Sequence, residues 1–220
     1  MERHFDEELS GLKSRLLKMS ALVEEVISRS VKALVERKAE LVEEVIKNDE
    51  VINMLEIEID ELCLKLLALY QPAAVDLRFV CSAMKINNEL ERIGDQAVNI
   101  AERAREVIKE PLLKPLIDIP RMGLLAQKMV KDAIDALVNK DDVLAGEVCR
   151  RDDEVDSLNN QIFRELLTYM IEDPKTITRA VELILVGRHL ERIADHATNI
   201  SEDVIYFLKG KNIKHHLEDQ

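Results

Sequence analysis

The chain has no tryptophan, and aromatic residues make up only 3% of its 220 positions. Six glycines and five prolines leave little material for tight turns. With strand-forming aromatics and turn residues both scarce, a β architecture is disfavoured. The three cysteines, Cys63, Cys81 and Cys149, are odd in number and widely spaced, with no second cysteine or histidine at ligand spacing. They read as small buried hydrophobes rather than as a disulfide framework or a zinc site. No uninterrupted apolar run approaches the ~20 residues that span a bilayer, and the residues from Met1 to Glu8 hold no apolar leader segment. The expectation is a cytoplasmic protein without direct membrane insertion. Positive charge is also short, with 31 Lys and Arg against 43 Asp and Glu, a formal net charge of -12. Nucleic acid is therefore excluded as a partner, and metal cations or basic protein surfaces are better matched.

What remains is 47% hydrophobic and 34% charged, a globular balance written mostly in Leu, Ile, Val, Ala, Glu and Lys, the residues of long helices. Apolar positions recur at helical spacing, as in Leu9, Leu12, Leu16, Met19, Val23, Val26 and Ile27. Prolines divide these runs. Pro72 and Pro174 each follow one long run and mark chain reversals, while Pro111, Pro115 and Pro120 crowd a single segment. Two further breaks are expected, one at Arg37 to Glu40 without proline or glycine, the other at Asn139 to Asp142, where aspartates can cap a helix. The reading is all-α, two tandem three-helix bundles built of six long helices. Residues 1–110 form the first bundle, 111–120 a proline-rich linker, and 121–220 the second bundle.

The halves are copies. Leu90 to Glu102 matches Leu190 to Glu202 at nine of thirteen positions, at an offset of one hundred. Core packing alone explains why Leu90, Ile93, Ala97 and Ile100 return as Leu190, Ile193, Ala197 and Ile200. It does not explain a second stripe, Glu91, Asp95, Asn99 and Glu102, which returns intact as Glu191, Asp195, Asn199 and Glu202 on a face expected to lie nearly opposite the core.

Antiparallel helices place residues equidistant from their turn at one level. Asp49 and Asp95 are equidistant from Pro72, as are Asn53 and Glu91. In the second half, Asp152 with Asp195 and Asp156 with Glu191 both centre on the Asp173–Pro174 bond. Each hairpin should thus bring two oxygen-bearing i, i+4 pairs side by side. Crowded carboxylates raise one another's pKa unless a cation lies between them, and an all-oxygen donor set suits hard cations. Acidic i, i+4 pairs are also common on plain solvated faces, so the pattern by itself leaves both readings open.

Leu-Glu-Arg-Ile-Gly/Ala-Asp occurs twice. Together with Gln71-Pro-Ala-Ala-Val-Asp-Leu-Arg78, Asp173-Pro-Lys-Thr-Ile-Thr-Arg179 and the closing Tyr206-Phe-Leu-Lys-Gly210, it resembles the PhoU family over nearly the whole chain. That resemblance implies a pair of three-helix bundles, often dimeric, with a Glu/Asp-x-x-x-Asp motif that in some members binds multinuclear iron or other divalent metals. The metal residues it implies are Asp49, Glu91, Asp95, Asp152, Asp156, Glu191 and Asp195, with Asn53 departing from the motif in the first cluster. It further implies a non-enzymatic negative regulator of phosphate uptake, an adaptor between the ATPase subunit of a phosphate ABC transporter and a phosphate-sensing histidine kinase.

Two rival functions remain. A di-iron carboxylate oxidoreductase needs Glu-x-x-His on its helices, and none of His4, His189, His196, His215 and His216 has a glutamate three residues before it. A passive helical scaffold with empty acidic faces is the other. His196, next to Asp195, is the one histidine expected to reach an acidic cluster. Arg78, Arg92 and Arg192 are expected to pair with neighbouring carboxylates.

Overall fold

Every expected break is matched in the structure except that Pro120, expected to close the linker, lies in the first turn of the fourth helix, Asp118–Asn139. The computed structural model describes residues 2–210, with side chains from His4 onward; His215 and His216 lie outside the described residues. The helices are α1 (Glu2–Glu36), α2 (Glu40–Tyr70), α3 (Ala74–Ile108), α4 (Asp118–Asn139), α5 (Asp142–Glu172) and α6 (Ile177–Lys209), with a short 3-10 turn at Pro174–Thr176 before the last. No strand occurs among the described residues.

Capping explains the well-signposted ends. The Asp141 carboxylate accepts hydrogen bonds from the Val143 and Leu144 amides at 3.0 and 2.9 Å, starting α5. Asp173 accepts from the Lys175 amide at 3.0 Å, and the proline after it sits where no amide is needed. Gly210 ends α6 in the left-handed conformation, at φ 68°. The unsignposted break after α1 rests on Arg37, which takes a left-handed φ of 56°. Its guanidinium donates to the carbonyls of Ile108 and Glu110, both at 2.7 Å, so groups orphaned at the end of α3 hold the bend in place.

Within each half, three helices run up, down and up around a core of fully buried Leu, Ile, Val and Ala. Leu12, Leu16, Ile27, Ile52, Ile59, Leu90 and Ile93 anchor the first, and truncating any of them to Ala would cost about 2–5 kcal/mol. The two halves do not sit apart. Among the described residues the most extensive helix–helix packing lies between α3 and α6, one helix from each half. The contacts across it include Arg78 on the Phe207 carbonyl, Ser82 on the Asp203 carbonyl, Glu89 with His196, Gln96 with His189, and Arg103 with Glu182. In each of these pairs the two residues are equidistant from the junction of residues 142 and 143, so α3 and α6 are antiparallel in one continuous register. Because they are also sequence copies, an approximate two-fold axis relates the halves and crosses α3 next to Arg92 and Ile93.

The linker is tied from both sides. Arg37 of the first half holds the Glu110 carbonyl, Arg179 of the second donates to the Pro111 carbonyl at 2.9 Å, and the largely buried Lys114 pairs with Glu165.

Candidate metal centres

The α2–α3 seam can be followed residue by residue. Gly94 faces Asp49 so closely that a Cβ there would lie 3.0 Å from Asp49 Oδ1 and 3.4 Å from Ile52 Cδ1. Further along, the fully buried Asn87 donates to the Glu56 carbonyl at 2.9 Å and to Asp60 at 3.1 Å. This register brings Asp49 beside Asp95 and Glu91, the convergence expected from the Pro72 reversal. Burial raises the Asp49 pKa, the neighbouring Asp95 raises it further, and the Asn53 amide at 3.2 Å opposes the shift. Glu91 is raised by burial, then by Asp95 and Glu56, with Arg92 opposing.

The second cluster holds more charge. Asp152 is pushed up to about 6 by burial and by Asp195, Asp156, Asp153 and Glu191. Glu191 is raised by burial and by Asp195 and Asp156. Asp195 is raised by burial and Asp156, against His196 and Arg192. The Asn159 amide donates to Glu191 at 3.0 Å, and its oxygen sits where a Cβ on Gly187 would lie 2.9 Å away. Asp152 with Asp195, and Asp156 with Glu191, are therefore neighbours, as the second reversal demands.

In both halves one carboxylate oxygen, Asp49 Oδ1 and its copy Asp152 Oδ1, is buried without a hydrogen-bond donor. A buried acceptor with no partner costs about 1–3 kcal/mol, and its recurrence at equivalent positions fits a cation as the missing partner. The donor set is all oxygen, suited to iron, manganese, magnesium or calcium. Against this, no three His, Cys, Asp or Glu side chains among the described residues converge on one ion position. Binding would require the carboxylates to swing together.

Several neighbouring expectations are corrected in part. The acidic stripe is split: Asp95, Glu102 and Asp195 are exposed, as expected of a face turned from the core, whereas Glu91, Asn99, Glu191, Asn199 and Glu202 are half-buried. His196 turns away from the acidic cluster and meets Glu89 at 2.6 Å, with Asn199 donating to the same carboxylate at 3.2 Å. The Asn199 amide is thus taken up by the contact between halves. Arg78 spends its guanidinium on the Phe207 carbonyl rather than on a carboxylate, while Arg92 bonds Asn88 at 2.8 Å and also lies close enough to lower the pKa of Glu91. Arg192 does lie close enough to lower the pKa of both Glu191 and Asp195. Of the cysteines only Cys63 is fully buried; Cys81 and Cys149 are half-buried. Glu56 went unnoticed beside the first cluster, although its position one heptad after Asp49 on the same face was a usable signal.

The PhoU domain matches this chain twice, at residues 16–104 and 119–204. A phosphate-specific transport system accessory protein PhoU homolog of Aquifex aeolicus is 45% identical over 97% of each chain. One from Pseudomonas putida is 42% identical over 98% of this chain and 84% of that one. The crystal structure of PhoU from Pseudomonas aeruginosa superposes with a TM-score of 0.91 at 42% identity, covering 94% of this chain and all of that one. The phosphate transport system regulatory protein PhoU from Streptococcus pneumoniae gives 0.89 at 31% identity, over 96% and 99%. A doubled signature, two copies of one helical unit and full-length likeness in sequence and structure agree: the chain belongs to the PhoU family.

Proposed function

We propose that this chain is a non-enzymatic accessory regulator of phosphate uptake and phosphate-starvation signalling. In this reading it is an adaptor between the ATPase subunit of a phosphate ABC transporter and a phosphate-sensing histidine kinase. The observation that carries it is the full-length relation to proteins named for accessory and regulatory roles in phosphate transport. No helix among the described residues is long and apolar enough to cross a membrane, which suits a cytoplasmic partner of a membrane assembly. The reading includes a homodimer, for which light scattering of the purified chain is the direct check.

The same proposal assigns metal to the acidic clusters, multinuclear iron first and other divalent cations second. Asp49, Glu91 and Asp95 would hold it in the first half, and Asp152, Asp156, Glu191 and Asp195 in the second. A bound cation supplies positive charge between helices whose carboxylates otherwise repel, fixing the surface that each hairpin offers to a partner. A metal-free scaffold is the second reading, favoured by the lack of convergence among the carboxylates as placed.

Pull-down of the transporter ATPase and of the kinase, each at high and low phosphate, tests the adaptor role. Capture of both, changing with phosphate, is expected; capture of neither at any concentration sinks it. Metal analysis of protein purified without chelator, set against a variant with Glu91, Asp95, Glu191 and Asp195 changed to Ala, tests the clusters. Equal metal in both proteins rejects them, and turnover of ferrous ion or peroxide would instead revive the oxidoreductase.

A further inference from the structure

The stripe of α2 that carries Asp49 continues through Glu56 to Cys63, in two steps of seven residues. The stripe of α3 that carries Asp95 runs back through Asn88 to Cys81 in the same two steps. Since Asp49 and Asp95 meet, and packed helices repeat their contacts every seven residues, the same register sets Cys63 against Cys81. The two cysteines are equidistant from Pro72, as the two aspartates are. Midway between the two levels the Asn87 amide donates to the Glu56 carbonyl, one residue from Asn88, the strict partner of Glu56, so the helices stay in contact there. Packed helix axes lie 8–10 Å apart, so directly facing Cα atoms are roughly 4–6 Å from one another, within the span of a disulfide. The thiols are also close enough to feel one another's charge: Cys81 is among the groups that raise Cys63.

The bland explanation is that this level of the seam needs only apolar packing. The second half shows what that looks like. There the equivalent positions are Leu166 and Val181, equidistant from the Asp173–Pro174 bond, and neither can be oxidised. The first half places its two cysteines opposite one another instead, one fully buried and one half-buried and reachable from solvent.

We propose that Cys63 and Cys81 form a thiol pair that closes reversibly to a disulfide, stapling α2 to α3 in the first half alone. The oxidant is a peroxide. Cys81 attacks one peroxide oxygen, the other oxygen leaves as water, and Cys81 becomes a sulfenic acid. The Cys63 sulfur then attacks the Cys81 sulfur, a second water departs, and one S–S bond stands where two S–H bonds were. Two thiols and one hydrogen peroxide give one disulfide and two waters. Burial holds the Cys63 thiol at about 12, so the second step is slow at neutral pH and speeds up as pH rises.

Cleavage after lysine and arginine separates the cysteines, leaving Cys63 in the peptide 48–65 and Cys81 in the peptide 79–85. The folded full-length chain is treated with hydrogen peroxide, its remaining thiols are blocked, and its peptides are weighed. The expected result is a joined 48–65/79–85 species, two hydrogens lighter than the sum of its parts and split by dithiothreitol. It should persist in Cys149→Ala and disappear in Cys81→Ala, with helicity by circular dichroism unchanged on oxidation. Recovery of Cys63 as a blocked free thiol overturns the proposal, whether Cys81 is then a free thiol, a sulfinic acid or joined to another chain.

Discussion

The two acidic clusters share a register but not a chemistry. In the first, Asn53 stands where the second has Asp156, Gly94 where the second has Ala194, and Glu56 where the second has Asn159. The first therefore lets Asp49 sink against a bare glycine backbone and softens it with an amide. The second crowds four carboxylates and drives Asp152 to about 6. Duplication preserved the frame that brings the helices together, while charge at the meeting point drifted. The second cluster should bind cations more tightly and should cost the metal-free fold more.

The largest test of that contrast removes the richer site. Asp152→Ala with Asp195→Ala should weaken divalent-cation binding there by about 100-fold, judged against the 10–100-fold typical of outer partners alone. Binding at the first cluster should be untouched when both are followed by titration calorimetry. A comparable loss at both clusters would mean that they are not independent. Enriching the poorer site is the next step. Asn53→Asp supplies the missing acid and should raise first-cluster affinity by about 10-fold while lowering the stability of the metal-free protein.

A third test reads the crowding through pH. In the unfolded chain the Asp152 carboxyl ionises near its ordinary 3.8, and in the folded protein near 6. Well below the unfolded value both states hold the proton and nothing is lost. As pH rises through 3.8 toward 6 the unfolded state releases its proton first, so stability falls, and above 6 the loss is complete. The group is only half-buried, which limits the loss to about 1–2 kcal/mol. Asp152→Asn should thus match the parent at pH ~3 and exceed it at pH ~7 in urea denaturation of the metal-free protein. The smallest effect belongs to Gly94→Ala. The gain in helix propensity, about 1 kcal/mol, is set against a methyl that displaces the Asp49 carboxylate toward solvent. Stability should shift by less than about 1 kcal/mol, and its fall with rising pH should become shallower.

Much of this frame was readable in the residue string. Pro72 and Pro174 announced the reversals, and simple equidistance from them placed Asp49 by Asp95 and Asp152 by Asp195. The bend at Arg37 was visible only as a change of phase, because the groups that hold it, the Ile108 and Glu110 carbonyls, are seventy residues away in sequence and carry no side-chain signal. The destinations of His196 and Asn199 were illegible for a related reason. A helical face can be assigned to core or solvent from periodicity within one bundle, but the packing of one bundle's outer face on the other's is a long-range choice. That choice made Asn199 look like part of an acidic site when its hydrogen bond crosses to Glu89. Glu56 was missed because it sits between the matched pairs rather than in one of them. The proposed partners are not written in the pattern at all and rest on family likeness alone.

A connector gripped by both halves cannot serve as a hinge. With Arg37 and Arg179 pinning the carbonyls at its start and Lys114 seated on α5, the short strap between the halves has no slack with which to let them swing apart. Strain imposed at one end of the molecule must then travel through bending or twisting of the long helices themselves, as in a plank rather than a pair of tongs.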